Sequence, residues 1–531
     1  MDRRPSLLMT ALMLIVLSAV SFAAGAATQS APVTHTQVTN EDVYKYLNPF
    51  VDALAIIREK YVDIDKTNPK DLIYGALQGM VNTLDPFSQF MPPDEYKQMQ
   101  TETSGQFGGL GIEIAQKDDH LTVIAPIEGT PADKAGIKAG DKIVKIGTEE
   151  TDGMGINDAV KRLRGKVGTK VTITVVRVGL AEPFDVTLVR DNIKIESIHS
   201  YMLPDHIGYV RISEFIDNTT DDMVKAIENL QKQSPLKGLV IDLRNDPGGL
   251  LNEAVGVSDY FGEKGKMIVS TKGRSAYQTQ EFHVDDADKF DKKKPVVVMV
   301  NEGSASGAEI VSGALKDWKR GVLIGEKTFG KGSVQTILPL ENSDGAALRL
   351  TMAKYYTPSG VCIHGIGIEP DLNLKEHDIT ESTVKVYTKM LPIKFAEVLV
   401  KEGMDVTTDI QVTDAIMDRF YAYALKNVKK IDKDELVKDA TYLRNSICVE
   451  LVSEKLGEKE AREYAVLHDP QVSVAEQIIK NGGKISAQLM AKYPKKKDTE
   501  IAGEKKLEEE RAKHKSSNND EDKEKDKDED K

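Results

Sequence analysis

The sequence predicts a mixed α/β core with a glycine-rich module inserted ahead of it, flanking helical regions and a disordered, charged C-terminal tail. Three observations carry this reading. Val296–Val300 is an unbroken apolar run between Pro295 and the turn signal Asn301-Glu-Gly-Ser, the pattern of a buried strand. Ile310, Val311, Ala314, Leu315 and Trp318 then recur at helical spacing, so strand passes to helix near Ser306. From about Pro494 the chain is rich in Lys, Glu and Asp, with almost no apolar residues to bury.

Taken in chain order, Asp2-Arg-Arg-Pro precedes an apolar stretch from Leu7 to about Val20, followed by small residues that offer Ala-x-Ala-like cleavage sites up to Ala27. That stretch is short for a bilayer span of about 20 residues, so residues 1–27 are expected to be a cleaved signal peptide. No lipobox cysteine follows it. The expected location is exported, in the periplasm or cell envelope. Residues 40–92 alternate helical patterns with Pro and Asn breaks and are expected to form an N-terminal helical region.

Residues 95–190 hold the inserted module. Gly105-Gln-Phe-Gly-Gly-Leu-Gly-Ile-Glu-Ile114 leads to a short strand, Leu121–Ala125, and to Thr130-Pro-Ala-Asp, which ends in Lys-Ile-Gly147. Asn157–Arg164 reads as a helix ended by Gly165, and Val171–Val178 as a strand. The module resembles a PDZ domain, which implies that Gly109, Leu110, Gly111 and Ile112 form a carboxylate-binding loop for a peptide terminus paired to an exposed strand edge. Arg162 and Arg164 read either as substrate or latch contacts or as solvated surface arginines.

The 531 residues are 40% hydrophobic and 29% charged, which suits a soluble multidomain protein. A formal net charge of −13 argues against a general nucleic-acid binder. Cys362 and Cys448 are the two cysteines; they fit either a disulfide or two thiols and give no metal-binding cluster, and no cofactor is implied.

The chemistry concentrates in two stretches. Ser306, in Ser-Ala-Ser-Gly-Ala-Glu309, stands where free helix-start N–H groups can hold an oxyanion, although Ser, Ala and Gly are also ordinary capping residues. Lys331 lies between Gly330 and Gly332, ahead of the alternating strand Val334, Thr336, Leu338. A lysine can deprotonate a serine if desolvation lowers its pKa from about 10.4, and Gln335 is placed to orient the amine. Gly325-x4-Gly330-Lys331 imitates a phosphate-binding loop, but the next residue is Gly332 where that loop needs Ser or Thr. A Ser-His-Asp arrangement with His283 or His364 is the other option; His364 lies in a Gly-rich stretch that reads as a solvent-facing loop. Position 305 is Ala, which breaks a G-x-S-x-G elbow.

These stretches resemble the carboxyl-terminal (tail-specific) processing proteases, serine peptidases with a Ser/Lys dyad. Further matching stretches are Leu84-Asp-Pro-Phe-Ser-Gln-Phe90, Asp242-Leu-Arg-Asn-Asp-Pro-Gly-Gly249, Tyr355-Tyr-Thr-Pro-Ser-Gly360 and Gly367-Ile-Glu-Pro-Asp371. The resemblance covers roughly residues 40–375 and implies a peptidase core at 195–375 with Ser306 as nucleophile, Lys331 as base and Gln335 in support. The Gly307 N–H is expected to be one oxyanion donor. For the second, the resemblance points to Gly249, with Gly248 as the fallback.

Residues 376–490 read as a C-terminal helical region, including helices at Thr413–Val428 and Asp434–Leu456, and residues 494–531 as the tail. The reading as a whole is an exported serine endopeptidase that recognises accessible C-terminal ends of proteins or peptides. In the family the N-terminal segments can contribute to a homodimer, and a regulatory adaptor is a further candidate partner. The alternative is a non-catalytic PDZ adaptor on a peptidase-derived scaffold.

Overall fold

The computed structural model describes residues 40–493, apart from 118–119, 128, 139, 178–179, 181, 286–288, 342 and 376–377. The expected signal peptide and charged tail lie outside these residues. The chain divides into two units, residues 1–76 and 77–531. In the first, the helix Asn40–Lys60 carries Pro49 in its interior and leaves Tyr46, Phe50, Val51 and Ile56 exposed.

The second unit is built on a six-stranded sheet whose spatial order follows the chain: β1 Ile198–Leu203, β2 Ile207–Ile212, β3 Gly238–Asp242, β4 Val296–Val300, β5 Val322–Gly325 and β6 Leu372–Asn373. β1 and β2 form an antiparallel pair, and every pairing from β2 to β6 is parallel. Alternation along β4 explains why its sequence is apolar throughout. Val296, Val298 and Val300 point to one face, where helices α1 (Thr219–Gln233), α2 (Leu251–Asp259) and α3 (Gly307–Asp317) supply Ile227, Val257, Val311 and Leu315. Val297 and Met299 point to the other face and meet Val472, Ala475 and Ile478 of helix α4 (Pro470–Lys480). A strand covered on both sides has no polar face to show.

A second sheet is wholly antiparallel and joins Gln89–Met91, Ala347–Tyr356, Met267–Gly273 and Gln280–His283, with Ser333–Pro339 also paired to Ala347–Tyr356. Between Gln89–Met91 and β1 the chain forms the inserted module. Its main sheet runs Ile112–Lys117, His120–Pro126, Lys142–Ile146, Lys170–Val176 and Phe184–Val189, which leaves Ile112–Lys117 as an edge beside the helix Ile156–Leu163. Gln106–Gly109 pairs separately with Asp191–Lys194.

The C-terminal helices bury a core of their own around Phe395, Phe420, Leu443 and Ile447. Thr413 caps the helix Asp414–Asn427 by accepting the Ile416 N–H. The single helix predicted over Asp434–Leu456 is instead two, Lys433–Lys438 and Ala440–Leu456, broken at Asp439. The Asp439 carboxylate accepts the N–H and the hydroxyl of Thr380, each at 2.8 Å, and this distant demand outweighs helical continuity.

Candidate active site

The parallel strands deliver three loops to one end of the sheet. β3 runs into Asp246–Gly249, β4 into Ser306, and β5 into the Lys331 segment, all at carboxyl ends, where open α/β sheets place their sites. Ser306 is the residue before α3 and has φ 50° and ψ −107°, a backbone state that costs a non-glycine residue about 1–3 kcal/mol. What holds it there is Glu309, fully buried one turn into the helix. Glu309 Oε2 accepts the Ser306 N–H at 2.9 Å and the Lys331 N–H at 2.8 Å. Its Oε1 accepts the Thr328 hydroxyl at 2.6 Å and the Gly330 N–H at 2.7 Å. Burial pushes the Glu309 carboxyl up from its ordinary range, while these four donors oppose the shift.

The Lys331 ammonium is half-buried, and desolvation, aided by repulsion from Arg349, lowers its pKa against the attraction of Glu309. Among the described residues it makes no hydrogen bond to Ser306 or Gln335; it sits 5.5 Å from the centroid of the Phe87 ring. Gln335 donates to the Ser333 hydroxyl at 2.9 Å and to the Thr351 hydroxyl at 3.3 Å. Burial pushes the pKa of the Tyr355 phenol up to about 12, and the nearby Ser306 side chain opposes that shift. The Tyr355 N–H donates to the Gly332 carbonyl at 2.8 Å, so this tyrosine near the serine also touches the lysine segment.

The glycine turn lies against Ser306. A Cβ on Gly248 would fall 2.6 Å from the Gly307 nitrogen and 2.7 Å from the Ser306 Cβ. Gly249 adopts φ 146°, and a Cβ there would run into the Phe215 carbonyl, so the approach admits only glycine. The fallback donor, Gly248, is engaged elsewhere: its N–H donates to Asp246 Oδ1 at 2.8 Å. The N–H groups of Gly307 and Gly249 have no acceptor among the described residues. Asp246 is fully buried, its Oδ2 has no partner among the described residues, and desolvation raises its pKa to about 8.

His364 lies in a turn, as read, but it does not face solvent. It is half-buried with an unpartnered, buried Nδ1, and its ring packs edge-on against Phe87 at 6.4 Å because residues 363–367 wrap the Lys331 loop. His283 is on the strand Gln280–His283 and lies 3.7 Å from Glu281. Cys362 and Cys448 are both unpaired. Sequence reasoning quoted Glu309, Phe87 and Tyr355 within motifs and gave them no role. The spacing Ser306-x-x-Glu309 is a capping-box signal and marks the glutamate.

In the inserted module, a groove is lined by Gly109, Leu110, Gly111 and Ile112 together with Val160 and Leu163 of the facing helix. Gly111 has φ 73°, and a Cβ there would strike Thr130. The Arg164 guanidinium lies 4.1 Å from the Phe107 ring centroid at this groove, while Arg162 pairs with Glu149 at 2.7 Å.

A serine on a strained strand-to-helix turn, beside unengaged amides and a desolvated lysine, is equipped for acyl transfer, the chemistry of a serine hydrolase. Comparison with known proteins agrees. Residues 206–374 match peptidase family S41, residues 122–177 a PDZ domain, and residues 9–95 the activating protease CtpB N-terminal domain. The carboxy-terminal-processing protease of Bartonella bacilliformis is 44% identical over 344 residues, 64% of this chain and 78% of that protein. Carboxy-terminal processing protease CtpA of Bacillus subtilis is 37% identical over 371 residues, 70% of this chain and 76% of that protein. Among solved structures, a photosystem II D1 C-terminal processing protease is 32% identical with a TM-score of 0.37, covering 64% of this chain and 94% of that one. The chain belongs to peptidase family S41, the carboxy-terminal processing proteases, and is a serine-type endopeptidase bearing a PDZ domain.

Proposed function

We propose that this chain is an exported peptidase that captures the C-terminal end of a protein through its PDZ groove and cleaves the captured chain by a Ser/Lys acyl-enzyme mechanism. The observation that carries the reading is the shared Glu309 oxygen, which fixes the backbone of Ser306 to that of Lys331. In the reaction, neutral Lys331 leaves the Phe87 ring, takes the Ser306 proton, and Oγ attacks the substrate carbonyl carbon. The Gly307 and Gly249 N–H groups receive the oxyanion, and the lysine returns its proton to the leaving amine. Water then attacks the ester and restores Ser306. Gln335 takes part by fixing the wall of the lysine site.

The PDZ groove supports capture because an apolar pocket adjoins an unpaired strand edge, Ile112–Lys117, to which an extended peptide can add. Export rests on the apolar N-terminal segment, and homodimer formation on the exposed apolar residues of Asn40–Lys60. Any regulatory adaptor would act as a further partner.

The test is proteolysis of an unfolded protein with a nonpolar C-terminal tail by the mature chain, Ser306→Ala and Lys331→Ala. Cleavage lost in both variants, with folding intact, supports the dyad. Equal cleavage by all three removes it. Binding without cleavage by the unmutated chain favours the adaptor reading or a latent enzyme awaiting a partner.

A further inference from the structure

The Leu84–Phe90 stretch enters the chemistry above only as the ring that Lys331 leaves, yet its whole turn is built to reach the lysine site. Asp85 Oδ1 accepts the N–H groups of Phe87 and Ser88, each at 2.8 Å, and Oδ2 accepts the Ser88 hydroxyl at 2.9 Å. The following strand, Gln89–Met91, is locked antiparallel to Ala347–Tyr356, and the Thr351 N–H donates to the Ser88 hydroxyl at 3.2 Å. From this anchored turn the Phe87 ring meets both the Lys331 ammonium, 5.5 Å from its centroid, and the His364 ring. By a second route Asp85 Oδ1 accepts the Thr351 hydroxyl at 3.3 Å, and that hydroxyl accepts the Gln335 amide at 3.3 Å.

We propose that the Asp85–Ser88 turn is a positioning element for the catalytic base: Phe87 seats the Lys331 ammonium on its π face, and Asp85 holds Gln335 through Thr351. The inference deepens the Ser/Lys reading and rests on it. The ring acts on the lysine in two opposed ways. Its π face attracts the cation and not the neutral amine. Its apolar bulk displaces water and favours the neutral amine. Loss of the proton to solvent therefore weakens the seat, and the amine released is the species able to accept the Ser306 proton. Arg349 repels the ammonium and Glu309 attracts it; Asp85 sits at the base of the same turn and His364 across the ring. Changing Phe87 leaves the Arg349, Glu309 and Asp85 charges in place and removes the ring against which His364 packs.

The experiment is the pH dependence of Ser306 acylation by a fluorophosphonate, measured on the full chain and its variants. Phe87→Leu keeps the apolar cover and loses the π face, so the acid limb of the profile is expected to move down by roughly half to one pH unit. Phe87→Ala admits water, so its limb is expected above that of Phe87→Leu. If Phe87→Leu does not fold, as judged by circular dichroism, Phe87→Met answers the same question. Limbs that coincide with the unmutated profile, while Lys331→Ala is unreactive, overturn the seat and leave the dyad standing. Lys331→Ala reacting like the unmutated chain overturns the dyad itself. Thr351→Val cuts the second route: a lower kcat for peptide cleavage at unchanged KM supports it, and an unchanged kcat removes Gln335 from the inference.

Discussion

Ser306 and Lys331 share a single carboxylate oxygen: Glu309 Oε2 accepts the backbone N–H of both, at 2.9 Å and 2.8 Å. The main chains of the two residues are thereby tied to one atom, whichever way the lysine side chain points.

Removing that oxygen is expected to be costly. Glu309→Ala leaves four donors buried around a void, and stability should fall by about 3 kcal/mol or more, read from denaturant unfolding. Glu309→Gln fills the space but turns an amide N–H₂ toward one pair of donors. Its kcat should drop by roughly 10- to 100-fold with a smaller change in KM. Unaltered turnover in Glu309→Gln would show that the shared oxygen does not govern the reaction.

Tyr355→Phe isolates the phenol next to Ser306, because the ring packing survives. Steady-state cleavage should show kcat reduced about tenfold, with KM and thermal stability close to those of the parent. A variant that cleaves at the full rate would reduce the contact to packing.

Asp246 predicts a pH effect on stability. Its pKa in the folded chain is about 8 against 3.8 without burial. Between those values the folded state holds a proton that the unfolded state has released. Stability from this group therefore falls as pH rises from about 4 to about 8, and the loss is complete above that. Asp246→Asn carries no such proton. Its gain in Tm over the parent should be small at pH 5 and largest near pH 9, as followed by thermal unfolding across that range; a gain independent of pH contradicts the assignment.

Arg244 joins the sheet to α4. It pairs with the fully buried Asp242 at 2.6 Å and with Asp469 at 2.8 Å, and it reaches Gln471 at 3.1 Å. Burial alone would push the Asp242 carboxyl up; Arg244, Arg211 and the Tyr209 hydroxyl together hold it below its ordinary value. Arg244→Ala strands that charge and should cost about 3–5 kcal/mol in chemical denaturation. A cost under about 1 kcal/mol would mean that the pair is dispensable.

Periodicity made the elements around the site legible. Val296–Val300 is continuous in apolar residues because both faces are covered, and α3 announces itself through its stripe. Lys331 stood out between its two glycines, whereas Ser306 and the glycine turn have ordinary local residue types and were singled out through the family resemblance. The groups that complete the site left weaker marks. Phe87 comes from more than two hundred residues before Lys331, and Tyr355 is one aromatic in an alternating strand; neither contact has a period to betray it. The break at Asp439 was hidden for the same reason, since its cause is Thr380, far back in the chain. His364 was misread because a glycine-rich stretch looks solvent-exposed until the loop it wraps is known.

The Arg244 bridge also orders events during biosynthesis. Every side chain assigned to the chemistry has been polymerised once Gln335 and Tyr355 are made, but β3 and β4 keep one bare face until α4 follows, more than a hundred residues later. Until then Arg244 lacks its partners Asp469 and Gln471. The sheet that carries the Ser306 loop is therefore covered on its second face only by helices that are made last.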